Sequence, residues 1–176
     1  MQTVIVVYSR SGRSLRIAER IAARSRARVC RIECPRYDGL SGYLRGWRDA
    51  WRGDLPEITL APEIGAADLL ILGGPVWAGR FAPPVRRLMR EAERLPPVVG
   101  VFVTRDRIGS TLPLEADLEA LAAVGPTPGE DLPLLTLARH RPSGLPIERA
   151  VERFLARLAP LMSRRKAPAI LPVRMA

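Results

Sequence analysis

Val4-Ile5-Val6-Val7-Tyr8-Ser9-Arg10-Ser11-Gly12-Arg13-Ser14 is the stretch from which the fold is read. Val4 to Val7 is an unbroken, β-branched apolar run, too short for an ordinary helix. It predicts a strand buried on both faces, as in a parallel sheet. Ser9 to Ser14 is a small, hydroxyl-rich turn, and beyond it Ile17, Ala18, Ile21 and Ala22 recur at helical spacing. A strand, a tight turn and a helix together make an anion site. The first-turn N–H groups of the helix have no partner inside it, and the helix dipole favours negative charge there. Ser9, Ser11 and Ser14 would add hydroxyl donors, and Arg10 or Arg13 positive charge. Gly12 would let the backbone approach the ligand closely. The ligand class this implies is a phosphate. The plainer alternative is that Ser11 or Ser14 only caps the helix.

Four more segments read as strands: Arg28–Glu33, Asp68–Leu72, Pro97–Val103 and Leu132–Ala138, the last with Pro133 suited to an edge. Between them lie helical stripes. Pro83-Pro84 starts one that carries Val85, Leu88, Met89 and Ala92; another carries Leu114, Leu118, Leu121 and Ala122. Ile147, Val151, Phe154, Leu155, Leu158 and Leu161 form the most regular stripe. From Tyr37 to Asp54, Leu40, Tyr43, Leu44, Trp47 and Trp51 share a helical face, although Gly42 and Gly46 weaken the pattern. The expectation there is a peripheral helix packing its aromatics on the sheet; the alternative is a flap over a site. Gly73–Ala82 has no helical period and reads as a loop.

Strands alternating with helices predict an α/β fold: a doubly wound, five-stranded parallel sheet in the order 2-1-3-4-5, with helices on both faces. In that order the loops Ser9–Ser14, Gly73–Ala82 and Thr104–Thr111 meet at one crevice. A single domain is expected over residues 1–162, followed by a basic, proline-broken tail, 163–176. With 47% hydrophobic residues in 176, the chain has enough to bury a real core. No apolar run approaches a membrane span, and Met1-Gln2-Thr3 leads straight into a strand without a charged leader. A cytoplasmic protein is expected, with Cys30 and Cys34 as ordinary thiols. No metal site is expected, because the cysteines have no second pair and His140 is the only histidine. His140 reads as solvated or structural.

The net charge is +10, and Lys166 is the only lysine. The arginines are spread through every segment, aromatics are few, and no nucleic-acid motif is present, so specific nucleic-acid binding is not expected. Other phosphate-loop chemistries fit worse. There is no Gly-x-Gly-x-x-Gly and no Gly-x4-Gly-Lys-Ser/Thr. Ser9 stands where a cysteine-based phosphatase would need its thiolate.

Tyr8 to Ser14 resembles the hydroxyl-rich loop that holds the FMN phosphate in the flavodoxin-like family. Gly74-Pro75-Val76-Trp77-Ala78-Gly79-Arg80-Phe81-Ala82-Pro83-Pro84 resembles that family's second flavin loop, where a Pro-x-Trp/Tyr segment borders the isoalloxazine ring. The two occur in the family's order, and the resemblance runs from about Thr3 to Leu161. It implies FMN as cofactor. It assigns Ser9, Arg10, Ser11, Gly12, Arg13 and Ser14 to the phosphate loop, and Pro75, Val76, Trp77, Ala78, Gly79 and Arg80 to the ring. Thr104, Arg105 and Asp106 belong to the third loop, which lacks a tyrosine to stack on flavin and so leaves room for a second ligand. Trp77 has a competing reading as a core residue. The implied activity is that of an FMN-dependent oxidoreductase passing electrons or hydride to a quinone-like or protein acceptor, with NAD(P)H a candidate donor and no protein acid or base assigned. The alternatives are a one-electron carrier and a binding or regulatory module of this fold that has lost flavin. The implied partners are the flavin and a redox partner protein or small-molecule acceptor, with a homodimer left open.

Overall fold

In the computed structural model, which describes residues 2–61, 66–92, 95–105, 112–124, 132–138 and 145–163, the chain opens with β1 (Thr3–Tyr8), α1 (Arg13–Ser25) and β2 (Arg28–Glu33). A single 3-10 turn, Pro35–Tyr37, leads into α2 (Gly39–Arg52). There follow β3 (Thr59–Ala61), β4 (Leu69–Trp77), β5 (Arg80–Phe81) and α3 (Pro83–Glu91). The last described elements are β6 (Val98–Arg105), α4 (Leu112–Val124), β7 (Leu134–Ala138) and α5 (Leu145–Ser163). Residues 164–176, the bulk of the expected tail, lie outside the described residues, as do His140 and Lys166.

The strands β2, β1, β4, β6 and β7 are neighbours in that order and pair in parallel. Counted among themselves they give the expected order, 2-1-3-4-5. Among the described residues, two short antiparallel strands extend the sheet to seven: β3 along the outer edge of β2, and β5 folded back on the end of β4. Segments this short carry too few residues for a period-2 pattern to show.

Alternate residues of the central strands feed two cores. Val4, Val6, Leu70, Leu72, Val101 and Val103 pack with Val85 and Leu88 of α3 and with Leu114 and Leu121 of α4. Ile5, Val7, Ile71 and Phe102 pack on the other face with Ile17 and Ile21 of α1 and with Val151, Phe154 and Leu158 of α5. Both faces are covered, which is why these strands read as continuous apolar runs.

Besides Thr104 and Arg105, which belong to β6 rather than to the expected third loop, two expectations change. Gly73 to Trp77 is not loop: β4 continues through it, with Gly73 opposite Phe102 and Pro75 opposite Thr104. A side chain at Gly73 would put its Cβ 1.9 Å from the Phe102 ring, so this glycine yields volume to an aromatic neighbour rather than making a turn. The reversal comes at Ala78 and Gly79, with φ of 49° and 76°, and sets Arg80 opposite Trp77. Positive φ at both central residues is what a tight two-residue hairpin requires.

The second change concerns α2. The helix forms, but it buries Gly42, Gly46, Asp49 and Ala50 and turns Leu40, Tyr43, Leu44, Trp47 and Trp51 outward. A Cβ at Gly42 would lie 2.3 Å from the backbone carbonyl carbon of Tyr37, and one at Gly46 would lie 2.7 Å from the Trp77 ring. The helix sits so close that only its side-chain-free face fits inward. Asp49 anchors it, accepting hydrogen bonds from the Tyr37 hydroxyl at 3.0 Å and from Arg36 Nε at 3.1 Å.

Candidate functional site

β1 delivers the chain at Tyr8 to the C-terminal edge of the sheet, and α1 begins at Arg13. The residue between turn and helix is Gly12, at φ 76°, and no side chain caps the helix. The serines therefore do not serve as caps. Their hydroxyls have different surroundings. Ser14 Oγ is buried and lies 2.7 Å from Thr104 Oγ1, in a hydrogen bond that either hydroxyl can donate. This bond ties the start of α1 to the end of β6. Ser9 Oγ is buried and has no hydrogen-bond partner among the described residues. Ser11 is exposed at the tip of the turn.

Arg10 faces α2. Its Nε donates to the Tyr37 carbonyl at 3.3 Å and its Nη2 to the Gly39 carbonyl at 2.8 Å, while its guanidinium lies over the Tyr43 ring, 5.0 Å from the centroid. These contacts close one side of a cavity of about 510 Å³. Its lining is Ser9, Arg10, Ser11, Arg13, Ser14, Arg16, Tyr43, Pro75, Val76, Trp77 and Thr104. The volume lies within the range of small-molecule and cofactor sites. Among the described residues, three arginines and no carboxylate face it.

Most of the residues expected from the sequence are brought together here. Gly12 supplies the backbone turn. Ala78, Gly79 and Arg80 form the hairpin beyond the wall and do not line the cavity; nor does Arg105, at the end of β6. Asp106 lies outside the described residues. Two lining residues were missed. Arg16 follows Arg13 by one helical turn, a spacing that would have flagged it. Tyr43 belonged to the aromatic stripe expected to pack on the sheet, and only the inverted orientation of α2 brings it to the cavity.

Trp77 both lines the cavity and packs. Its ring meets Tyr8 edge-on at 5.8 Å and Tyr37 at a tilt at 5.9 Å. Burial pushes the Tyr8 hydroxyl well above its ordinary value, so it stays a neutral phenol. Burial likewise pushes the Cys34 thiol up to about 11, against hydrogen bonds from the backbone of Tyr37 and Arg36, so no thiolate forms near neutral pH. Cys30, also free and buried, is raised for the same reason. The cavity thus holds no activated nucleophile among its described residues. The lining combines hydroxyls, arginines and a helix N-terminus with proline, valine and aromatic surface. That chemistry suits a ligand with an anionic group joined to a flat apolar body.

No protein-family model matches the sequence, and no curated protein does. Solved structures do. A flavoprotein from Lactobacillus acidophilus NCFM, crystallised in complex with FMN, is 23% identical, covering 78% of this chain and 91% of that one with a TM-score of 0.56. A flavodoxin, WrbA-like protein from Agrobacterium tumefaciens is 18% identical over 94% of this chain and 99% of that one, with a TM-score of 0.61. The fold is flavodoxin-like. Oxidised flavodoxin 2 from Bacillus cereus agrees, at 16% identity over 91% of this chain and 99% of that one and a TM-score of 0.57. In this flavodoxin-like sheet the cavity opens at the C-terminal ends of β1, β4 and β6, beside the β1–β4 boundary where strand order reverses. Open α/β sheets bind their ligands at such a boundary. No described helix is long and apolar enough to cross a membrane.

Proposed function

We propose that the cavity binds FMN and that the protein is an FMN-dependent oxidoreductase. The observation that carries this reading is the buried Ser9 hydroxyl, without a partner among the described residues and lining one cavity with Arg13, Arg16 and the N-terminal end of α1. A buried polar group without a partner is costly, and an anionic oxygen would satisfy it. In this reading Ser9, Ser11, Arg13, Arg16 and the backbone N–H groups after Gly12 hold the phosphate. Pro75, Val76, Trp77 and Tyr43 border the ring. The FMN complex of the Lactobacillus flavoprotein, on the same fold, supports the choice of ligand. Bound FMN supplies hydride and electron chemistry, and the chain supplies binding, orientation and the electrostatic environment. The acceptor is a quinone-like molecule or a protein, and NAD(P)H is the donor we favour.

Titrating the purified protein with FMN, followed by flavin fluorescence and calorimetry, tests the cofactor. Saturable binding is expected, and its absence at micromolar FMN overturns the reading. Steady-state assays with NADH or NADPH and quinone acceptors then test the activity. A loaded protein that turns over with neither donor is a carrier instead.

A further inference from the structure

The outward half of α2 carries two stripes. Leu40, Tyr43, Leu44, Trp47 and Trp51 form the first, with exposures of 91%, 51%, 70%, 49% and 72%. Arg45, Arg48 and Arg52, all exposed, run beside it on the flank away from the cavity. On the cavity flank, Arg10 lays its guanidinium over Tyr43. An apolar band is thus bordered by cations on both sides. The helix has one acidic residue, Asp49, which is only 1% exposed and is held by Tyr37, Arg36 and Arg48. Within residues 39–52 the outward face therefore carries no negative charge, and the exposed carboxylates of Asp38 and Asp54 stand just beyond its two ends.

Contiguous exposed apolar surface of this kind marks an interaction site rather than chance. The pattern of charge selects the occupant. A second copy of this chain, docked face to face, would set arginine stripes together in a protein of net charge +10. An anionic lipid surface complements both stripes at once. Tryptophan and tyrosine favour the headgroup level, leucine the acyl boundary, and arginine the lipid phosphates.

We propose that the outward face of α2 docks the protein on an anionic membrane surface. Leu40, Leu44, Trp47 and Trp51 enter the boundary between headgroups and acyl chains, and Arg45, Arg48 and Arg52 lie among the headgroup phosphates. Tyr43 belongs to both the stripe and the cavity wall, so docking sets the cavity mouth beside the bilayer. The proposal stands whether or not that cavity holds FMN.

The test mixes the full chain with vesicles of phosphatidylcholine alone or of phosphatidylcholine with phosphatidylglycerol. Sedimentation measures partition, and tryptophan emission measures insertion. Binding to the phosphatidylglycerol vesicles is expected, with a blue shift, weakened by salt. The double variant Leu44→Ser/Trp51→Ser changes exposed positions and should keep the native circular dichroism while partitioning roughly tenfold less, as removal of inserted apolar surface requires. Arg45→Gln/Arg52→Gln should bring phosphatidylglycerol binding down towards the phosphatidylcholine level. No partition to either vesicle overturns the proposal. So does undiminished partition of the Leu44→Ser/Trp51→Ser variant, which would assign binding to diffuse charge. A concentration-dependent dimer that this variant dissociates, without vesicle binding, would assign the face to a second copy.

Discussion

Ser9 and Ser14 look alike in the sequence, and their surroundings give them opposite expected behaviour. Ser14 shares a buried hydrogen bond with Thr104, which fastens α1 to β6. Ser14→Ala should lower thermal stability by about 1 kcal/mol, because the bond is lost and Thr104 keeps a buried hydroxyl. Ser9 has no such bond to lose. Ser9→Ala should leave the stability of the ligand-free protein unchanged or raised, and weaken FMN by roughly 1.5–3 kcal/mol, the range for hydrogen bonds to charged groups. Riboflavin, which has the ring without the phosphate, separates the two ends of the site: its affinity should not change. Melting curves of both variants with calorimetry of both flavins give the comparison. Equal weakening of FMN and riboflavin by Ser9→Ala would move that hydroxyl away from the phosphate. The strand-to-helix turn at Ser9 to Gly12 was legible because strand, glycine and helix stand in immediate succession. Which hydroxyl was free was not, since it depends on Thr104, ninety residues away on another strand.

At the scale of elements, α2 shows where periodicity misleads. The pattern of Leu40, Tyr43, Leu44, Trp47 and Trp51 places a helix correctly, yet the rule that the apolar face turns inward fails. What decides is how closely α2 approaches Tyr37 and Trp77, a distance that one sequence does not state. In an exposed helix, glycine to alanine gains about 1 kcal/mol. Here Gly42→Ala should destabilise, by roughly 1–3 kcal/mol as for overpacking, because its Cβ meets the Tyr37 backbone, which cannot yield. Gly46→Ala should cost less, since it meets the far edge of the Trp77 ring, and should show instead as a change in Trp77 emission. Urea unfolding of the two variants measures the order, and a stabilised Gly42→Ala would contradict the buried glycine face. Asp49 gives the same element a dependence on pH. Burial alone would raise its pKa, but hydrogen bonds from Tyr37 and Arg36 outweigh burial and hold it below the ordinary 3.8. A lowered folded value means the contribution is present above the unfolded value and is lost as pH falls through the folded one. Asp117, buried against the Phe81 amide and Arg86, is raised, so its contribution has the opposite sign and is lost as pH rises. Asp49→Asn should therefore be less stable than wild type at neutral pH, with the gap narrowing below about pH 3.8. Urea midpoints measured across the acid range would show it, and a gap constant with pH would mean Asp49 acts by shape rather than charge.

Over the whole molecule, the sheet order was legible because β1, β4 and β6 are buried on both faces and so stand out as long apolar runs. Ordered as they are, these strands deliver Ser9, Pro75 to Trp77 and Thr104 to one edge. The hairpin that ends β4 was not legible, because it rests on a two-residue turn and a glycine that makes room for Phe102. Charge is the other property of the whole. At +10 the molecule attracts any anion at long range, while Arg10, Arg13 and Arg16 act at the cavity itself. The two contributions separate by screening, since charges beyond about 10 Å are largely screened at 0.1 M salt. Arg16 lines the cavity, whereas Arg28 pairs with Val4 at the opposite end of the sheet. FMN affinity should fall with salt and riboflavin affinity should change little. Arg16→Gln should weaken FMN at every salt concentration. Arg28→Gln should weaken it slightly at low salt and not at all at high salt. Calorimetry of wild type and both variants across a salt series measures this. If Arg16→Gln and Arg28→Gln shift FMN affinity equally, and both effects vanish at high salt, the anion is drawn by the net charge alone and Arg16 does not touch it.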